Sequence, residues 1–140
     1  MPKFIVVEPT GAPCLFESNK LDELFIVKGD LPTIMAGLAC GEPSHIGWNI
    51  LKSATSAFLM CSDNVARRGM KVLGNPLEGD QRIVSGESGA VTLGALFDIL
   101  SNKEFYKIKE ELSLTKDSNV LLFSTEGDTD PDAYREIVWL

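Results

Sequence analysis

The sequence predicts an α/β fold, a mostly parallel sheet with helices on both faces, and three observations carry that prediction. Short apolar runs alternate with stretches of helical periodicity; the runs are continuously apolar instead of alternating with polar residues; and glycine- and acid-rich words follow them. A strand covered on both faces has no solvent side on which to place polar residues, so continuous runs point to a doubly covered sheet. With 140 residues, 44% of them apolar, residues 1–140 hold material for a single domain-sized core and no second one.

Taken in order, residues 3–7 (KFIVV) read as a buried strand entering the loop Glu8, Pro9, Thr10, Gly11. Residues 14–19 can form one helical turn, and residues 24–27 are a further apolar run of either type. The word TIMAGLACGEP, from Thr33 to Pro43, carries small residues and glycines that suit a closely packed backbone. Ser44 after Pro43 then opens a helix to about residue 53, with Trp48, Ile50 and Leu51 facing inward. Residues 57–61 are a second buried strand. Ser62 or Asp63 caps the helix over 64–73, where Val65, Ala66, Met70 and Leu73 share a face and Gly74, Asn75 and Pro76 bring the stop. Residues 82–84 are a brief extended piece. The word SGESGA then leads into a helix over 90–100 that is apolar nearly all round and therefore central. Residues 105–112 are an amphipathic surface helix, and residues 120–123 (VLLF) a core strand ending at Ser124 and Thr125. A last helix, with Pro131 in its first turn and Asp130 or Thr129 as cap, runs toward Trp139.

Charge and cysteine usage exclude several functions. Twenty acidic against 13 basic side chains give a net charge of −7, which repels phosphate backbones and anionic membranes, so neither nucleic acid nor a membrane surface is an expected partner. No run approaches the ~20 apolar residues of a membrane span, and the N-terminus has no apolar targeting core; a cytoplasmic location is expected. Cys14, Cys40 and Cys61 form no CxxC pair and are joined by one histidine, His45, so no metal site is expected. Buried reduced thiols are the favoured reading, with a Cys14–Cys40 bridge as the minority one.

In open α/β sheets ligands lie beyond the carboxyl ends of strands, which directs attention to GLACGEP (37–43), SGESGA (85–90) and STEGDTD (124–130). A helix opening at SGESGA would present free backbone N–H groups, although spacing alone favours a plain capped helix start. A hydroxyl at Ser124 or Thr125 would stand on a rigid support facing a crevice, or simply bond its own turn. Glu8, Glu42, Glu87, Glu126, Asp128 and Asp130 all occupy loops after strands, where each suits either a general acid or base or a solvated rim, and most suit the rim.

In sequence order, VVEPTGAPCL, TIMAGLACGEP, the WNIL helix, MKVLGNP, SGESGAVTLG and STEGDTDPDAYREIVW resemble the diaminopropionate ammonia-lyase family along essentially the whole chain. More distantly the order resembles threonine dehydratase and serine racemase, which share the tryptophan-synthase-β-like fold (fold type II) of pyridoxal 5'-phosphate enzymes. The resemblance implies a C-terminal portion of the large, cofactor-binding domain of an enzyme that converts 2,3-diaminopropionate and water to pyruvate and two ammonia by α,β-elimination. It implies that Ser124 or Thr125 hydrogen-bonds the pyridine nitrogen, that Glu87 stands beside the ring, that Gly86 and Gly89 let the ring pack closely, and that Gly41 and Glu42 lie on the substrate side. In the family the Schiff-base lysine, the proton-abstracting acids and the phosphate loop come before the stretch that matches this chain. None of the nine lysines here sits in such a motif. The expectation is therefore no catalytic residue in this chain, no activity or cofactor binding without an N-terminal portion of the same enzyme as partner, and self-association through uncovered surface. The competing expectations are a fragment of a threonine or serine dehydratase-like enzyme and a non-catalytic, partner-binding remnant.

Overall fold

The structure, a computed structural model, describes residues 2–140. They form two compact units, one ending at Asp63 and one from Asn64 to Leu140.

In the first unit, β1 (Phe4–Pro9) and β2 (Thr55–Cys61) pair in parallel, from Phe4 opposite Thr55 to Pro9 opposite Cys61, with one irregularity of register after Phe4. A parallel pair requires a long crossover. Here it contains α1 (Cys14–Leu21), a single 3-10 turn (Ala36–Leu38) and α2 (His45–Ala54). The side chain of Ser44 caps α2 as the sequence predicts, accepting from the Gly47 N–H at 3.2 Å. On α2, Trp48 is buried with its ring 6.3 Å from that of Phe58 on β2, whereas Ile50 is 61% exposed and does not face inward. The run 24–27 is neither helix nor strand; its Val27 N–H donates to the Gly41 carbonyl at 2.9 Å, tying two loops together. The burial of β1 is graded. Phe4 and Ile5 are exposed and Glu8 and Pro9 are buried, so the expectation of a wholly buried strand holds only at its carboxyl end.

The second unit is helical: most of α3 (Asp63–Gly74), then α4 (Glu87–Ser101), a 3-10 turn (Lys103–Phe105) running into α5 (Tyr106–Glu111), and α6 (Pro131–Trp139). Its core joins Met70 of α3, Ala90 of α4 and Tyr134 and Val138 of α6, flanked by Leu73 and Ile137. Two glycines set how closely α3 and α4 cross. A Cβ on Gly69 would lie 1.9 Å from the Ala90 carbonyl oxygen, and one on Gly94 would lie 1.9 Å from the Val65 carbonyl oxygen, so the two backbones touch where side chains would normally intervene. Arg68 adds an ion pair with Asp98 and stands 6.0 Å from the centre of the Phe97 ring. Asp130 caps α6, accepting from the N–H groups of Asp132 and Ala133, with Pro131 following it.

Three sequence expectations need correction in this unit. Residues 82–84 and 120–123 are not strands, and Leu121 and Phe123 are 78% and 69% exposed. A strand exists only with a neighbour to complete its backbone hydrogen bonds, and no described residue lies alongside 120–123 as a ladder partner. The helix α4 starts at Glu87, earlier than expected, and is not buried all round. Ser88, Gly89, Ala90, Val91, Gly94, Ala95 and Ile99 are buried, but Phe97 and Leu100 are exposed.

Candidate functional site

The words SGESGA and STEGDTD, nearly forty residues apart, meet at the N-terminus of α4. Ser85, fully buried immediately before the helix, receives a hydrogen bond from the Ser124 hydroxyl at 2.8 Å, and its own hydroxyl lies 3.3 Å from the Gly86 carbonyl. Glu126 ties the two segments a second and a third time. Its carbonyl accepts from the Gly86 N–H at 3.2 Å, and its carboxylate accepts from the Ser88 N–H at 2.5 Å. The Ser124 hydroxyl has the Glu126 carbonyl as an alternative acceptor at 3.3 Å.

The glycines allow this meeting. A Cβ on Gly89 would stand 2.6 Å from Ser85 Oγ, 3.0 Å from the Thr125 nitrogen and 3.1 Å from Ser124 Oγ; one on Gly86 would run into the Gly127 carbonyl at 2.6 Å and the Glu126 side chain. The space that a side chain would take is therefore filled at Gly86 by Glu126 and Gly127, and at Gly89 by Ser85, Ser124 and Thr125. Because α4 has Gly86 at its N-cap, no local side chain can satisfy the first N–H groups, and Glu126 does so from a distance. The Glu126 carboxylate already engages this helix start, so it is not a vacant anion cradle.

Of the predicted site residues, the structure brings Ser124, Thr125, Gly86 and Gly89 into one notch. Glu87 opens α4 beside them, half-buried, and its side chain has no hydrogen bond or ion pair among the described residues. Gly41 and Glu42 belong to the first unit, where Gly41 packs against the Val27 carbonyl and the Glu42 carbonyl accepts from the Cys40 thiol at 3.3 Å. Two residues that hold this notch together are not singled out individually by sequence. Ser85 shows no signal beyond its place before a glycine, and Glu126 is one acid among six.

Glu8, another of those six, is not a solvated rim residue. It is 8% exposed, and its carboxylate accepts from the N–H groups of Leu15 at 3.0 Å and Phe16 at 2.7 Å and from the Cys14 thiol at 3.5 Å, closing the start of α1. Burial pushes the Cys14 thiol up to about 12, with the adjacent Glu8 carboxylate adding to the effect, so Cys14 is an un-ionised thiol at neutral pH. Cys14, Cys40 and Cys61 are free. Among the described residues no group of three His, Cys, Asp or Glu could hold a metal ion, and no helix is long and apolar enough to cross a membrane.

The chain is 51% identical to Escherichia coli K12 diaminopropionate ammonia-lyase over 135 residues, which cover 96% of this chain and 34% of that protein. The chain is homologous to the C-terminal part of diaminopropionate ammonia-lyases. It spans about a third of the length of the curated relatives it matches; the Salmonella typhimurium diaminopropionate ammonia-lyase is 45% identical, with 99% of this chain and 35% of the relative covered. Similarity extends to three dimensions. A crystal structure of the Escherichia coli diaminopropionate ammonia-lyase in complex with an aminoacrylate–PLP azomethine reaction intermediate superimposes with a TM-score of 0.88 at 49% identity, over 96% of this chain and 34% of that one. A bacterial threonine deaminase, from T.th. (TM-score 0.63, 18% identity, 71% and 34% covered), and maize serine racemase (0.61, 19%, 75% and 32%) are distant neighbours that share the fold alone, that of fold-type II PLP enzymes. No protein-family model matches. The homologous diaminopropionate ammonia-lyases are PLP-dependent.

Proposed function

We propose that this chain is the part of a diaminopropionate ammonia-lyase that completes the cofactor's ring site, and that the whole enzyme eliminates ammonia from 2,3-diaminopropionate to give pyruvate and a second ammonia. The single observation that carries the reading is the convergence of Ser124 and Ser85 beside Gly89, in a chain half identical to such lyases. The donor set suits a heteroaromatic nitrogen. It offers a neutral hydroxyl that can donate or accept, while the nearby Glu126 carboxylate is engaged by the Ser88 N–H.

In this reading Ser124, rather than Thr125, faces the pyridine nitrogen, because Ser124 Oγ is the hydroxyl held by the notch while Thr125 contributes its backbone. Gly86 and Gly89 keep the wall flat, and Glu87, whose side chain has no other partner among the described residues, stands at the rim; Gly41 and Glu42 are retained as substrate-side residues. When bound, pyridoxal 5'-phosphate supplies an electron sink for the charge left at the substrate's α-carbon. A neutral hydroxyl moderates that sink, which is compatible with losing a β-amino group.

We further propose that the anchoring lysine, the proton-abstracting acids and the phosphate-binding loop are contributed by an N-terminal portion of the same enzyme, and that this chain alone is inactive and holds no cofactor. The exposed Leu121 and Phe123 support a partner over residues 120–123, and exposed apolar side chains such as Ile46 and Ile50 support homo-oligomer formation. A cytoplasmic setting fits the acidic composition and the free cysteines. The test is complementation: this chain mixed with the N-terminal two-thirds of the Escherichia coli relative should release pyruvate from 2,3-diaminopropionate and give little from threonine or serine. Release from threonine or serine alone would favour the dehydratase reading, and none from a well-folded complex would overturn both.

A further inference from the structure

The hydroxyl of Ser85 is fully buried and donates only to the carbonyl of the next residue, at a long 3.3 Å, while receiving the Ser124 proton at 2.8 Å. A buried hydroxyl with so weak an outlet for its own proton is unusual, because buried donors ordinarily find a well-placed acceptor. The oxygen sits in space that only a glycine at 89 leaves open, since a Cβ there would stand 2.6 Å from Ser85 Oγ. Ser124 has two acceptors available for a single proton, Ser85 Oγ and the Glu126 carbonyl.

We propose that Ser85 is a positioning residue that sets the direction of the Ser124 proton, and so lets Ser124 act as donor toward the ring nitrogen. This rests on the cofactor reading above. When Ser124 turns its proton to a nitrogen lone pair, its oxygen loses the bond it was making to Ser85. The Ser85 hydroxyl then rotates from the Gly86 carbonyl to Ser124 Oγ, and the pair keeps one hydrogen bond between its oxygens with the same two protons. No proton leaves either oxygen. Without Ser85 the nearest remaining acceptor for Ser124 is the Glu126 carbonyl, which draws its proton along the loop and away from the notch. The exchange requires hydroxyls on both partners, which a purely space-filling role for Ser85 does not.

The experiment uses the complex of this chain with the N-terminal portion and compares two probes, pyridoxal phosphate and its carbocyclic analogue with the ring nitrogen replaced by C–H, by fluorescence titration. Ser85→Ala is expected to weaken pyridoxal phosphate about ten-fold, the loss of roughly one hydrogen bond, and to change the analogue's affinity less than about two-fold. Equal weakening of both probes would reduce Ser85 to a structural residue and overturn the proposal, as would no weakening of either; both outcomes leave the cofactor reading intact. If the unmodified complex binds neither probe, the cofactor reading fails and the positioning role fails with it. Ser85→Cys, which keeps a rotatable donor of similar size, should recover part of the loss for pyridoxal phosphate.

Discussion

The starts of α1 and α4 solve the same problem with the same residue type, and they differ in what lies next to it. Both helices have an N-cap residue with no side-chain hydrogen bond, Pro13 and Gly86, and both are capped by a glutamate from elsewhere: Glu8 from the end of β1, and Glu126 from 38 residues beyond Ser88. At α1 the carboxylate is buried and accepts from two N–H groups and a thiol of α1 itself. At α4 the same device uses the carboxylate and carbonyl of Glu126 and leaves the Ser85–Ser124 pair beside it with adjustable protons. A cap is a structural feature in both places; under the proposed function, the one at α4 also organises groups that face the cofactor.

The sharpest way to break this comparison is to remove the support under α4. Gly69→Ala puts a methyl within 1.9 Å of the Ala90 carbonyl and must part α3 from α4, at a cost of about 3 kcal/mol. Urea unfolding should show it, and a change below about 1 kcal/mol would mean that the backbone contact is not what holds α4. Glu8→Ala strands two N–H groups and a thiol in a buried place and should cost about 2–3 kcal/mol in the same measurement, leaving cofactor affinity in the reconstituted complex unchanged. Glu126→Ala should cost less stability, about 1–2 kcal/mol at a half-exposed cap, yet lower that affinity; if the two variants affected affinity equally, the distinction between the two caps would disappear.

The smallest effect concerns Cys14. Below the ordinary thiol value of 9.0 the group is protonated whether the chain is folded or not. Between there and about 12 the unfolded chain releases the proton and the folded one retains it, so stability should fall as pH rises through this window. Alkaline unfolding curves should therefore be flatter for Cys14→Ala. At pH 8 a thiol-alkylating reagent should label the exposed Cys40 well before the buried Cys14, and simultaneous labelling would show that the start of α1 is open.

Features that depend on neighbours in sequence are legible in advance. Ser44 and Asp130 are recognisable as caps because each bonds N–H groups two or three residues away, and Pro131 because its fixed φ suits a first turn. The parallel β1 and β2 are legible as continuous apolar runs, and the likeness of the loop words to ammonia-lyases is legible in their order. Residues 120–123 have the composition of a strand, but β-propensity describes a fit to neighbours that none of the described residues supplies, and no strand forms there. Glu8 and Glu126 could not be told from other loop acids, because nothing in a sequence says which distant N–H group a carboxylate will reach.

Residue order alone is enough to read the α/β class, the elements whose caps and periodicity are local, and kinship with the C-terminal part of diaminopropionate ammonia-lyases. It takes the folded chain to bring Ser85 to Ser124, to seal α4 with Glu126 and α1 with Glu8, and to press two helix backbones together at Gly69 and Gly94. Local choices follow from the covalent restriction of φ and ψ and from bonds a few residues long, whereas these contacts join segments far apart along the chain, and packing alone selects them.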